Sequence, residues 1–300
     1  MRNKPKRAPA PKETNLKVAE PTELMTFLLS KMGGMSRNSI KSLLAHRQIM
    51  VNKKVTTQFN LPLQPNDLVT VTSGRGNTEL SHPKLRIIFE DEYLIVVEKK
   101  EGLLTVSTGD TDETTAFSIL KNHVKRSSPQ NRIYVVHRLD RETSGVIMFA
   151  KSKEVQFTMQ ENWHRIVTRR IYVALVEGNV EKEKDTIVTW LTENEKSLKI
   201  HSSDSDNGGQ QAITHYRKVK SNDQFSLLEI ELETGRKNQI RFHMQGIGHP
   251  VAGDKKYGAN RSPIDRLGLH ARLLAFYHPV TTEIVSFETP VPRTFLSIFH

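Results

Sequence analysis

The sequence predicts an α+β protein. A large unit with a mixed, largely antiparallel sheet flanked by helices follows a small N-terminal α/β unit. Three observations carry this reading. Strand-like apolar runs outnumber helical ones beyond residue 84. Leu228-Glu229-Ile230-Glu231-Leu232 alternates strictly, as a half-buried strand does. Near the N-terminus, Leu24, Phe27 and Leu28 fall instead at helical spacing.

Along the chain, residues 1–20 are rich in proline and lysine and read as a flexible basic tail. Residues 21–75 read as the small unit. Its first helix ends at Gly33-Gly34, and Ser36 suits the N-cap of a second helix with Ile40, Leu43 and Leu44 inward. Arg37 and Lys41 then share an outer face, with Arg47 just past the helix. Strands at 49–51 and 68–71 follow, the first ending in a turn at Asn52-Lys53. Residues 76–83 read as a linker, and residues 84–300 as the large unit. Its expected strands are 85–89, 93–98, 133–136, 146–150, 171–176, 212–216 and 225–232, with helices at 153–165 and 237–245. Residues 179–210 are polar, and their C-terminal part reads as a mobile loop.

Composition narrows the function. Three hundred residues with 36% apolar content provide a core and suit about two domains. No apolar run approaches the ~18 residues needed to cross a bilayer, so no membrane association is expected. The basic N-terminus has no apolar stretch behind it and does not read as a secretory signal. No cysteine is present, which excludes disulfides, thiolate metal sites and a cysteine nucleophile and fits a cytoplasmic protein. The net charge of +11 is concentrated early: residues 1–20 and 21–72 each carry six Lys/Arg against two acids. That distribution points to a polyanionic partner met first by the N-terminal quarter. The motifs GxxxxGK[ST], GxGxxG after a strand and HExxH are all absent, and the histidines lack ligand spacing. Neither cofactor nor metal is expected, and the default expectation is a monomer.

The segment YVVHRLDRETSGVIMFAK (134–151) carries the chemistry. Two apolar runs bracket the polar nonapeptide 137–145, which puts it on a loop held between two strands. Asp140 lies between Arg138 and Arg141, which favours its ionised form. Leu139 is an apolar residue inside the loop, and Thr-Ser-Gly closes it with residues suited to a tight turn.

This segment resembles the RluA-type pseudouridine synthases, whose hallmark is HRLDxxTSG. The match is His137, Arg138, Leu139, Asp140, Thr143, Ser144 and Gly145. IYVALVEG (171–178), TGRKNQIRFHMQGIGHPVAGDKKYG (234–258) and LGLHARLLAFYHP (267–279) resemble the family's later motifs in order. SRNSIKSLL (36–44), IMVNKK (49–54) and NDLVTV (66–71) resemble a small RNA-binding domain shared with a ribosomal small-subunit protein. The chain departs from the family at Asn238, where histidine is usual, and at Lys99-Lys100, where Lys-Pro is usual.

The resemblance implies a catalytic domain over residues 84–300 that isomerises uridine in structured RNA, either rRNA or tRNA. The appended domain points to large-subunit rRNA. It assigns Asp140 as nucleophile, Tyr172 as the ring packed against the target base, and Arg241 as the cation beside Asp140. Beside the resemblance, Arg138, whose guanidinium can stack or hold phosphate, and Arg37, Lys41 and Arg47 of the basic N-terminal unit are candidates for RNA binding, and His137 is read as ordering the loop. Two other readings stay open at this point: a non-catalytic RNA-binding or ribosome-assembly factor, and a nucleoside hydrolase.

Overall fold

The protein is described by a computed structural model over residues 12–32, 35, 37–45, 48–73, 80, 82–107, 109, 113–193, 200–203 and 205–299. The N-terminal segment forms β1 (Lys12–Lys17), β2 (Thr22–Glu23), α1 (Leu24–Lys31), α2 (Arg37–Ala45), β3 (Ile49–Val51), β4 (Lys54–Val55), β5 (Pro62–Leu63) and β6 (Leu68–Ser73). A four-stranded sheet runs in the order β1-β6-β3-β4. The helical spacing read in the sequence buries Leu24, Leu28, Ile40 and Leu44 against Ile49, Val69 and Val71. Asn52, Lys53 and Asn66 all have positive φ. Asp67 fixes these turns by accepting from the Asn52 side chain and the Gln64 amide, both at 2.7 Å. Gly33-Gly34, Ser36 and Arg47 lie outside the described residues.

The flexible-tail expectation is corrected at its C-terminal end. The last proline of the tail is Pro11, and beyond it each residue has a free amide to donate. Lys12–Lys17 therefore pairs antiparallel with β6, and Val18 is buried in the small core.

The large unit comprises β7 (Leu85–Glu90), β8 (Leu94–Lys99), α3 (Ala116–Ser127), β9 (Tyr134–Val135), β10 (Ser144–Ala150), α4 (Lys153–Glu161), α5 (Trp163–Ile166), β11 (Val167–Glu177) and β12 (Lys184–Glu193). It continues with β13 (Ile200–Ser203), β14 (Gln210–Ser221), β15 (Phe225–Leu232), α6 (Gln239–Gly246), β16 (Leu269–Tyr277), β17 (Ile284–Glu288) and α7 (Arg293–Leu296). Eleven strands form one sheet, ordered β13-β12-β14-β15-β11-β16-β10-β8-β7, with β17 on β16 and β9 on β10. The β10–β16 pair is parallel and the other described pairs are antiparallel. The expected mixed sheet flanked by helices is what forms.

Helices cover both faces of the sheet centre, so β8 and β10 are buried on both sides. Ile95, Val97, Ile147 and Phe149 meet Leu120 and Val124 of α3. Leu94, Val96, Val146 and Met148 meet Val155 and Met159 of α4 on the other face. Two-sided burial explains why these strands read as continuous apolar runs.

Several elements differ from the sequence reading. The helix expected over 153–165 breaks at Asn162, whose φ of -107° and ψ of 21° separate α4 from α5. The polar stretch 179–210 contributes β12 and β13 rather than loop alone. Charged and hydroxyl residues suit these strands because they lie at the sheet's edge. α3, β16 and β17 were not predicted as elements. α3 is fixed by a capping box in which Thr115 and Ser118 exchange bonds. Among the described residues, no helix is long and apolar enough to cross a membrane.

Candidate active site

The loop between β9 and β10 presents Asp140, and each side of the loop is pinned. Leu139 is buried in the α3-side core. Thr105 clasps its backbone, donating to the Leu139 carbonyl at 2.7 Å and accepting from its amide at 3.2 Å. The Arg141 carbonyl accepts from the Lys99 ammonium at 3.0 Å and the Gly102 amide at 2.9 Å. With the flanking backbone held, the Asp140 side chain emerges 37% exposed.

Thr143, Ser144 and Gly145 close the loop by seating it on β16. Ser144 and Gly145 pair in parallel with His270 and Ala271. Gly145 has φ of 121°, and a Cβ there would run into the Ala271 main chain, so only glycine fits. Ser144 Oγ lies 2.7 Å from His270 Nδ1 and accepts from Arg266 at 2.7 Å, and His270 Nε2 meets Thr289 at 2.9 Å. Burial pushes the His270 pKa down to about 4, so the ring is neutral in this chain of hydrogen bonds.

α6 brings the cation. Ile240 and Met244 face the core as the i,i+4 spacing requires, which turns Arg241 toward Asp140. The Arg241 Nη1–Asp140 Oδ2 separation is 3.7 Å. The guanidinium is not devoted to Asp140, however. Its Nε and Nη2 grip the buried carboxylate of Asp254 at 2.6 and 2.7 Å, and Nη1 donates to Asn238 at 2.9 Å. The Tyr257 ring lies 4.8 Å from the guanidinium carbon. Burial works against the Arg241 cation, but Asp254, then Asp140 and Tyr257, outweigh it and raise its pKa. Asn238 replaces the family's usual histidine and adopts a left-handed conformation with φ of 56°, which asparagine tolerates.

Tyr172 lies on β11 between two core clusters. Burial raises its pKa, Arg170 opposes the rise and Asp140 adds to it, so the hydroxyl is a protonated donor at neutral pH. His137 packs on Trp163 with ring centroids 4.9 Å apart and accepts from the Met148 amide at 3.2 Å. Burial and Arg170 push its pKa down to about 3, so it is neutral. That geometry suits the loop-ordering part.

One electrostatic expectation is corrected. Arg141 turns away from Asp140 to form a bidentate pair with Glu113, at 2.6 and 2.9 Å. The described cation nearest Asp140 is therefore Arg241, far away in sequence. Arg138 is exposed at the loop surface. Arg37 and Lys41 are exposed on α2, with Lys41 Nζ 5.8 Å from the Phe59 ring centroid.

The sequence assigns no role to Asp254, which lies within GDKKYG, or to Lys99. Lys99 ends β8 between Glu98 and Lys100, so nothing in the local sequence marks it for burial. Its ammonium is fully buried and donates to the Lys100, Leu103 and Arg141 carbonyls at 3.1, 2.8 and 3.0 Å. Burial lowers its pKa to about 8, against the pull of Glu142, Asp140 and Glu101. Among the described residues, no group of three or more His, Cys, Asp or Glu side chains is placed to hold a metal ion.

Known proteins of one class share this sequence and fold. A model of the RNA pseudouridylate synthase family matches residues 93–246. The chain is 32% identical over 262 residues to the uncharacterized RNA pseudouridine synthase YhcT of Bacillus subtilis, covering 86% of each. It is 34% identical over 238 residues to ribosomal large subunit pseudouridine synthase D of Nitrosomonas europaea, covering 75% of this chain and 68% of that one. Among solved structures, human RNA pseudouridylate synthase domain containing 4 superposes with a TM-score of 0.57 at 24% identity, covering 70% of this chain and 90% of that one. The chain belongs to the RNA pseudouridine synthase family and is an RNA-modifying isomerase.

Proposed function

We propose that the enzyme isomerises uridines of large-subunit ribosomal RNA, with Asp140 as the nucleophile. The observation that carries the chemical part is the pinned loop that offers Asp140 to solvent 3.7 Å from the Arg241 guanidinium. The reaction breaks the N1–C1′ bond, turns the base and forms a C5–C1′ bond, while C5 loses a proton and N1 gains one. Asp140 starts it by attacking C1′, or by removing the 2′ proton to leave a glycal. Arg241 supports the carboxylate's charge. Tyr172 packs its ring against the turned base, and its hydroxyl takes part in moving the carbon-bound proton.

Arg138 occupies the space that the target base vacates when it leaves its stack, which costs the RNA a few kcal/mol. The N-terminal unit binds RNA through Arg37, Lys41 and Arg47. Large-subunit RNA is favoured over tRNA by the likeness to a ribosomal large subunit synthase and by the basic first quarter of the chain. Mapping pseudouridine in total RNA from cells with and without the gene tests the assignment. The expected result is one or more large-subunit positions that lose pseudouridine. Loss confined to tRNA would overturn the substrate assignment but not the chemistry.

A further inference from the structure

A cleft of about 380 Å³ is lined by Trp163, His164, Thr168, Arg169, Arg170 and His215 among others. Arg170 and Tyr172 are two residues apart on β11, so their side chains leave the same face of the strand. Trp163 joins the cleft to the catalytic loop, because its ring packs on His137, three residues before Asp140. Arg170 in turn lies 5.9 Å from the Trp163 ring centroid. Arg170 therefore links Tyr172, two residues along β11, to Trp163, and Trp163 reaches through His137 to the loop that carries Asp140.

Arg170 is the unusual member of that set. It is half-buried, and no carboxylate pairs with it among the described residues. Its Nη2 donates to the main-chain carbonyls of Leu232 and Glu233, at 3.2 and 2.6 Å. Carbonyl oxygens orient the guanidinium without neutralising it. Burial lowers its pKa, the mark of a cation held away from water without a counter-ion. The carboxylates on the rim are already engaged, Glu231 by Arg169 at 3.1 Å and Glu233 by His215 at 2.8 Å.

We propose that this cleft binds the phosphodiester of the nucleotide adjoining the target uridine, with Arg170 as its cation and Trp163 as the ring that holds the guanidinium in place. A phosphate supplies the missing counter-ion, and a planar guanidinium suits two phosphate oxygens at once. The position on the Tyr172 face makes the occupant a neighbour of the reacting nucleotide rather than a distant part of the RNA. The inference rests on the reading of Asp140 and Tyr172 as the chemical centre.

The test uses the full chain and two probes. One is RNA labelled with [5-³H]uridine in cells lacking the gene, with tritium release followed under single turnover. The other is a fluorescein-labelled nonauridylate, with binding read by anisotropy at several salt concentrations. Arg170→Gln should raise the half-saturating RNA concentration by about tenfold, as loss of a charge-assisted contact does. It should also lower the slope of log affinity against log salt by about 0.7, the signature of one single-strand phosphate contact. Arg170→Lys should keep that slope, which separates loss of charge from loss of fold, and a melting curve of each variant checks the fold directly. An unchanged slope and half-saturation in Arg170→Gln would overturn the proposal. So would a loss confined to the saturated rate, which would make Arg170 a support for Tyr172 alone. A wild-type chain that binds the nonauridylate through Arg170 but releases no tritium would sink the catalytic reading and leave the cleft standing.

Discussion

Arg241 stands 3.7 Å from Asp140 while giving a bidentate grip to Asp254, which lies buried thirteen residues further along the chain. The cation beside the proposed nucleophile is thus fixed in place by a second carboxylate. Asp254 is also the side-chain cap of the short turn that ends at Tyr257. The arginine's position, rather than its charge alone, is what this arrangement secures.

Arg241→Met should therefore do more than remove a charge. It strands the Asp254 carboxylate, whose side chain is 1% exposed, and breaking one side of a buried pair costs ~3–5 kcal/mol. Urea unfolding should show that loss, and the double variant Arg241→Met with Asp254→Leu should recover part of it while staying inactive. Arg241→Lys keeps the charge without the two-pronged grip and should fall between wild type and Met in rate. Full stability in Arg241→Met would mean that the Asp254 contact contributes nothing.

Arg141→Ala should be nearly silent. Arg141 pairs with Glu113 at an exposed site, where such pairs contribute roughly 0–1 kcal/mol. Single-turnover rates should stay within about threefold of wild type, a difference below 1 kcal/mol. A hundredfold loss would restore Arg141 as the charge partner of Asp140.

Gly145→Ala should damage the fold at the root of the Asp140 loop. The residue combines φ of 121° with main-chain contact to Ala271. Strain and overpacking together are expected to cost about 3 kcal/mol or more. Circular dichroism melts test this, and an unshifted midpoint would show that the β10–β16 junction opens to admit a methyl group.

Acid should weaken the native state through its buried histidines. His137 is held near a pKa of about 3, and His243 and His270 near about 4, each chiefly by burial. Their unfolded values lie near 6.5. The unfolded chain therefore binds more protons below that pH, so the stability these groups contribute is complete above about 6.5 and falls as pH drops toward 4. Each contributes up to about 1.4 kcal/mol per pH unit within that window. Urea midpoints between pH 7 and 4.5 should fall steeply, and His270→Gln should flatten the slope. A flat wild-type profile would contradict neutral burial of these rings.

The Asp140 loop was legible because its information is local: nine consecutive residues carry the acid, the apolar plug at Leu139 and the tight Thr-Ser-Gly closure. Arg241 was legible only through its motif, since helical spacing alone would leave it a surface cation. Asp254 and Lys99 escaped because their roles depend on partners brought together by the fold. Lys99, for example, reaches the carbonyl of Arg141, forty-two residues away. Secondary structure followed the same rule. Doubly buried β8 and β10 announced themselves, while β12, one strand in from the sheet's edge, and the Thr115-capped helix α3 mixed polar and apolar residues without a clean period.

The proposed part of Asp140 is tested most sharply by Asp140→Asn in the full chain, scored for pseudouridine formation in [5-³H]uridine-labelled RNA alongside RNA affinity. The substitution keeps the side chain's shape and leaves the clasp of Thr105 on Leu139 and of Lys99 on Arg141 untouched. It removes only the nucleophilic charge. Tritium release and pseudouridine should disappear while RNA affinity stays within about threefold of wild type, a difference below 1 kcal/mol. Appreciable turnover by the asparagine variant would contradict the assignment of Asp140 as the group that begins the reaction.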